Sequence, residues 1–65
     1  MQIILNGEAY STSARSIAEL IEEVGVRAKT IALAQNTQVV REDGWSETPL
    51  REGDEIEILQ FMGGG

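Results

Sequence analysis

The residues with most chemistry to offer stand together at the C-terminal end of the chain, Met62-Gly63-Gly64-Gly65. Glycine has the least bulk and the widest backbone freedom of any residue. A run of it makes a thin arm with a carboxylate at its tip. A terminal carboxyl has an ordinary pKa of about 3.5, so it is an ionised nucleophile at neutral pH. Fully extended, the four residues from Met62 reach roughly 13 Å, at about 3.3 Å each. That length suits threading into a narrow active site on another protein. Terminal glycines also suit a frayed end without function, so the arm by itself leaves both readings open.

The rest of the composition removes most other chemistry. The chain has 65 residues, no histidine, no cysteine, and 11 acidic against 5 basic residues for a net charge of −6. Without histidine it lacks the commonest general base and metal ligand. Ser-His-Asp and Cys-His arrangements are therefore excluded within it. Without cysteine there is no disulfide and no thiolate metal site, a usage that fits a reducing compartment. No glycine-rich loop followed by Lys-Ser/Thr is present to hold phosphates. The acidic balance argues against nucleic acid, whose phosphates call for cationic side chains, and against an anionic membrane surface. It is compatible with a protein partner that presents a basic docking face, and equally with a charge that merely keeps a small domain soluble. No apolar run approaches the roughly 20 residues of a membrane span. The opening Met1-Gln2-Ile3-Ile4-Leu5-Asn6 lacks the basic-then-apolar pattern of a signal peptide. These features together predict a cytoplasmic protein.

A single small domain must position the arm, because a chain of this length buries only about 60% of its unfolded surface. Residues 2–5 read as a strand, Asn6-Gly7 as a tight hairpin turn, and residues 8–12 as the returning strand. Ser16-Ile17-Ala18-Glu19 has the form of a capping box, in which Ser16 accepts from the Glu19 amide and the Glu19 carboxylate reaches back to the Ser16 amide. Ile17, Leu20, Ile21 and Val24 then form one helical stripe, closed by Gly25. Glu22 and Glu23 lie off that stripe on a solvated face. Residues 30–34 alternate as a third strand, with Ile31 and Leu33 on one side. Asn36-Thr37-Gln38 reads as a turn and Val39-Val40 as a short strand. Residues 41–54, with Asp43-Gly44, Pro49 and Gly53-Asp54, read as mostly loop. Trp45 within it is expected at the edge of the core. Residues 55–61 form the last strand, with Ile56 and Ile58 inward. Its outer face runs Glu55, Glu57, Leu59, Phe61, from acidic to apolar as the arm approaches. Leu59 and Phe61 are a candidate docking patch beside the arm, joined by Ile4 if the first and last strands are neighbours. A helix with one apolar stripe packs on one face of a mixed sheet, in a crossover between non-sequential strands. The fold class is α+β, with residues 1–61 as the domain and residues 62–65 as a flexible glycine tail.

This order of elements, with glycines leaving the last strand, resembles the ubiquitin-like β-grasp fold, and more closely the sulfur-carrier proteins of thiamine biosynthesis, the ThiS family. The resemblance rests on Ile3-Ile4-Leu5-Asn6-Gly7, Ser16-Ile17-Ala18-Glu19-Leu20-Ile21, Ala32-Leu33-Ala34-Gln35-Asn36 with Val39-Val40, Trp45, residues 50–58 and Gly63-Gly64-Gly65. One departure is Arg41, where proteins of this type often have a proline. The resemblance implies a carrier, not an enzyme. An adenylating partner would bind it, and the Gly65 carboxylate would attack the α-phosphorus of ATP. A sulfur donor, typically a persulfide, would then replace AMP and leave a thiocarboxylate on Gly65. Thiazole synthase would take that sulfur into the thiazole ring. Met62, Gly63 and Gly64 would enter partner active sites, with Phe61, Leu59 and Ile4 docking. ATP and magnesium would be bound by the partner, and the carrier itself would hold no metal or cofactor. The same chemistry for molybdopterin or cysteine biosynthesis stays open at this point. So do a non-covalent β-grasp interaction module and conjugation through an isopeptide bond.

Overall fold

The computed structural model describes residues 1–26 and 31–60. The element order is β1 (Gln2–Leu5), β2 (Glu8–Ser11), α1 (Ile17–Val24), β3 (Ile31–Gln35), β4 (Gln38–Val40), a 3-10 helix (Glu42–Glu47) and β5 (Glu55–Gln60). The five strands form one mixed sheet in the order β2-β1-β5-β3-β4. β5 runs parallel to β1 and antiparallel to β3. β2 and β3 consequently point the same way with two strands between them, and α1 carries the chain across the sheet.

Local chemistry accounts for the elements. Asn6 and Gly7 both take positive φ, 51° and 84°, as a two-residue primed turn requires. Ser16 caps α1 in an extended conformation, its hydroxyl accepting from the Glu19 N–H at 3.2 Å. Gly25 closes the helix at φ 86°, donating to the Ile21 carbonyl, a left-handed position where a side chain would be strained. Inward residues of every element converge. Ile3, Ile17, Leu20, Ile21, Ile31, Leu33, Trp45, Leu50 and Ile56 form the buried core with Ala14, and Val24, Val40 and Ile58 pack against it.

The structure corrects several expectations. The Glu19 carboxylate accepts from the N–H of Arg15 at 2.7 Å, not that of Ser16. The chain at residues 15–17 is bridged to residues 48–50, with Ile17 N–H on the Thr48 carbonyl and Leu50 N–H on that of Arg15, so the Ser16 backbone direction is set by that bridge. Glu23 is exposed yet engaged, accepting from the Tyr10 hydroxyl at 2.7 Å and the Thr12 hydroxyl at 2.8 Å. These bonds lower its pKa, the Tyr10 contact contributing most, and raise that of Tyr10. They fasten α1 to the end of β2. β2 ends at Ser11, because Thr12 turns inward and accepts from Ala14 N–H. β3 runs one residue further than predicted, to Gln35, and Thr30 lies outside the described residues. The following turn is Asn36-Thr37 alone, at φ 51° and 73°, with Gln38 already in β4. A β-branched residue at positive φ is uncommon, so Thr37 does not advertise so tight a turn. Residues 42–47 form a 3-10 helix where loop was expected. With a single buried side chain, Trp45, the segment has no apolar period to reveal it.

Candidate functional site

β5 leads toward the glycine arm, and it is the central strand of the sheet. On the β3 side it is paired from Ile56 to Gln60. On the β1 side the ladder is shorter, with Ile4 opposite Glu55 and Leu5 opposite Ile56. Ile4 N–H donates to the Asp54 carbonyl at 2.9 Å and Asn6 N–H to the Ile56 carbonyl at 2.8 Å. Two turn asparagines add their side chains. Asn36 Oδ1 accepts from Glu55 N–H at 2.9 Å, and Asn6 Oδ1 from Ile58 N–H at 2.8 Å.

Asp54 anchors the entry to β5. It is buried, and its oxygens accept from Asn36 Nδ2 and Gln35 Nε2, both at 3.0 Å, and from Arg51 N–H at 2.8 Å. Burial alone would push this carboxyl up. The hydrogen bonds from Asn36, the Arg51 backbone and Gln35, with the nearby Arg51 charge, outweigh it and hold the group below its ordinary 3.8. A carboxyl depressed in the folded state stabilises the fold above its unfolded pKa, and that contribution is lost as pH falls through the folded value. Asp54→Asn places an amide donor against donors and is expected to cost about 1–3 kcal/mol at neutral pH. The difference in melting temperature between variant and wild type should shrink below pH 3.8. A gap that stays constant from neutral to acid pH would remove the charge from this account.

The outer face of the sheet holds an apolar patch on the C-terminal half of β5. Leu59 is 66% exposed and Val39 is 75% exposed. Ala32 lies opposite Leu59 and Ala34 opposite both Glu57 and Val39. Together they line a groove of about 100 Å³. Of the residues singled out in the sequence, Leu59 lies on this patch. Ile4 shares the same face and is 37% exposed. It stands opposite Glu55, four residues along β5 from Leu59, or roughly 13 Å at 3.3 Å per residue. The structure thus puts Ile4 at the acidic end and not in the groove. Phe61, Met62, Gly63, Gly64 and Gly65 lie outside the described residues. Val39, Ala32 and Ala34 were not foreseen. The signal was present in Val39-Val40, since adjacent residues of a strand point to opposite faces and one of the two must therefore face outward. Among the described residues there is no cluster of His, Cys, Asp or Glu able to hold a metal, and no helix long and apolar enough to cross a membrane.

Comparison with known proteins bears on the family and the fold. The ThiS family profile matches residues 3–65. The sulfur carrier protein ThiS of Escherichia coli (strain K12) is 35% identical over the whole length of both chains. The thiazole synthase of Paramagnetospirillum magneticum is 33% identical across this entire chain, which spans 20% of that protein's length. The crystal structure of the thiamine biosynthesis protein ThiS of Geobacter metallireducens superposes over the whole of both chains with a TM-score of 0.83, at 29% identity. With its family profile, its full-length relative and its β-grasp architecture in agreement, the chain belongs to the ThiS family, sulfur carriers of thiamine biosynthesis that are not themselves enzymes.

Proposed function

We propose that residues 1–61 act as a handle and residues 62–65 as an arm whose Gly65 carboxylate is the atom-bearing group. An adenylating enzyme, holding ATP and magnesium, directs a Gly65 oxygen onto the α-phosphorus, and pyrophosphate leaves. A carboxylate is a poor acyl donor, and the adenylate supplies the leaving group it lacks, dividing one difficult step into two. The terminal sulfur of a persulfide donor then attacks the acyl carbon and AMP departs. A thiol of the partner or of a soluble reductant attacks the donor-side sulfur of the resulting acyl disulfide, forms a disulfide with it, and releases the thiocarboxylate on Gly65. Thiazole synthase receives this sulfur. The thiazole synthase relative that contains a segment like this whole chain supports that partner. A need for ATP and a persulfide supports a cytoplasmic location for the carrier.

The observation that carries this reading is the central place of β5, tied on both flanks and leading directly to Met62-Gly63-Gly64-Gly65. Glycines at 64 and 65 let partner walls close on the backbone without side-chain clashes, while Gly63 adds reach and should tolerate change better. The test is to incubate the protein with a cognate adenylating enzyme, ATP and a persulfide donor and to measure intact mass. Replacement of one oxygen by sulfur is expected. An unchanged mass beside an active partner would overturn the reading.

The groove of Val39, Ala32, Ala34 and Leu59 serves as the docking surface for the adenylating enzyme, with Ile4 further along the same face and Phe61, two residues after Leu59 in sequence, as a candidate contact. Glu57 lines it and Glu55 lies further along the same strand face, so the partner should offer an apolar projection flanked by basic groups. Leu59→Glu puts a charge into that contact and should weaken association at least about tenfold. Leu59 is already exposed, so its melting temperature should move by less than about 4 °C. Titration calorimetry and thermal melts check both. Unchanged affinity would show that the groove is not the docking surface.

A further inference from the structure

We propose that Asn6 is a positioning residue for the glycine arm, its side chain carrying the β1–β5 ladder one step past the end of β1. The inference rests on the carrier reading above and concerns how that arm is aimed. β1 ends at Leu5. The next β5 donor on this flank is the N–H of Ile58. Asn6 leaves the strand at φ 51° to make the hairpin turn, so its backbone no longer continues the ladder. Its side-chain Oδ1 takes the place of a strand carbonyl and accepts from Ile58 N–H at 2.8 Å, across 52 residues of sequence. Its own N–H still holds the Ile56 carbonyl at 2.8 Å. One residue therefore grips β5 twice.

The hairpin alone does not call for this side chain. Glycine serves a primed turn equally well, whereas asparagine combines tolerance of positive φ with a short carbonyl-bearing side chain. The opposite flank repeats the device, with Asn36 at φ 51° accepting from Glu55 N–H. The two bonds act at different places along the strand. Asn36 holds its first residue, while Asn6 holds Ile58, immediately before Leu59. Among the described residues the Asn6 bond is the last tie on the β1 flank. Beyond it, Leu59 and Gln60 are paired with β3 alone, opposite Ala32 and Ile31. Loss of this bond moves the last tie on the β1 flank back from Ile58 to Ile56, so that the end of β5 is held on its β3 side alone. The directions open to Leu59 and Gln60, which precede the arm in sequence, then spread. A partner binds only the fraction that points correctly, and its apparent affinity falls by that fraction.

Asn6→Gly keeps the turn and the Ile56 bond and deletes only the acceptor, whereas Asn6→Asp keeps an acceptor and tolerates positive φ. In Asn6→Gly the Ile58 amide should exchange with solvent at least about fivefold faster, the weight of one hydrogen bond, while hairpin amides keep their protection. In sulfur loading below its melting temperature, this variant should show a KM for the carrier raised about fivefold with kcat little changed. Asn6→Asp should restore both. A merely structural role would lower the melting temperature and leave KM alone. Unchanged protection of Ile58 in Asn6→Gly, or failure of Asn6→Asp to restore it, overturns the inference. So does a wild-type chain that loads beside an Asn6→Gly chain of equal KM. A wild-type chain that gains no sulfur overturns the carrier reading itself, and with it the purpose assigned to Asn6.

Discussion

One residue added after Gly65 is expected to abolish sulfur loading while leaving the fold intact. The extension converts the Gly65 carboxylate into an amide, which has no free oxygen to attack phosphorus. It also moves the only remaining terminal carboxylate by about 3.3 Å or more. Misplacement by about 1 Å at a reacting centre can reduce a rate about 100-fold, so loading by the displaced carboxylate should fall below detection. The core residues lie within residues 3–56, and none of them is touched. Intact mass after incubation with adenylating enzyme, ATP and persulfide reads the first half of the prediction, and a thermal melt the second. An extended chain that loads at the wild-type rate would take the nucleophile away from Gly65.

Trp45→Ala should be the most damaging single change to the fold. Trp45 is 5% exposed and packs in the main core from within the 3-10 helix. Its Nε1 donates to the Val40 carbonyl at 2.8 Å, tying that helix to β4. Truncating a buried Trp costs about 3–5 kcal/mol, and small domains sit near the low end of the usual stability of about 5–15 kcal/mol. The melting temperature should drop by more than about 15 °C, enough to leave much of the protein unfolded at physiological temperature. Trp45→Phe keeps most of the apolar ring but leaves the Val40 carbonyl without its donor, and should cost less. Circular dichroism melts of the two variants would separate packing from hydrogen bonding. A loss of only a few degrees in Trp45→Ala would mean that the 3-10 helix does not depend on its anchor.

How far each part could be read ahead of the structure follows from the range of the forces involved. The first hairpin and the α1 cap were plain in Asn6-Gly7, Ser16 and Gly25, because turn and cap chemistry acts within a few residues. The stripe Ile17, Leu20, Ile21, Val24 and the alternation around Ile56 named the core faces for the same reason. The 3-10 helix was missed because Trp45 is its only buried residue, and one side chain has no period. The second turn was drawn too long because Thr37 takes a backbone conformation its side chain disfavours. On the outer face, Leu59 was found from strand alternation. The residues that complete its groove, Val39, Ala32 and Ala34, come from other strands, and only the register brings them to it.

The sequence by itself set which side-chain chemistries this chain can offer. With no histidine or cysteine and three glycines at its end, it pointed to the Gly65 carboxylate as the group that we propose partner enzymes act on. It also determined the local elements, and it pointed to the family that the comparisons then established. It favoured thiamine biosynthesis over molybdopterin and cysteine biosynthesis, which share that chemistry, and the family match assigns the chain to thiamine biosynthesis. Only the tertiary structure decided which strands flank β5, that Ile4 stands apart from Leu59, that Asp54 is a buried hub, and that the two turn asparagines grip the strand carrying the arm. These are contacts between residues as much as 52 positions apart. They depend on strand order and register, and those are set by how the whole apolar core closes.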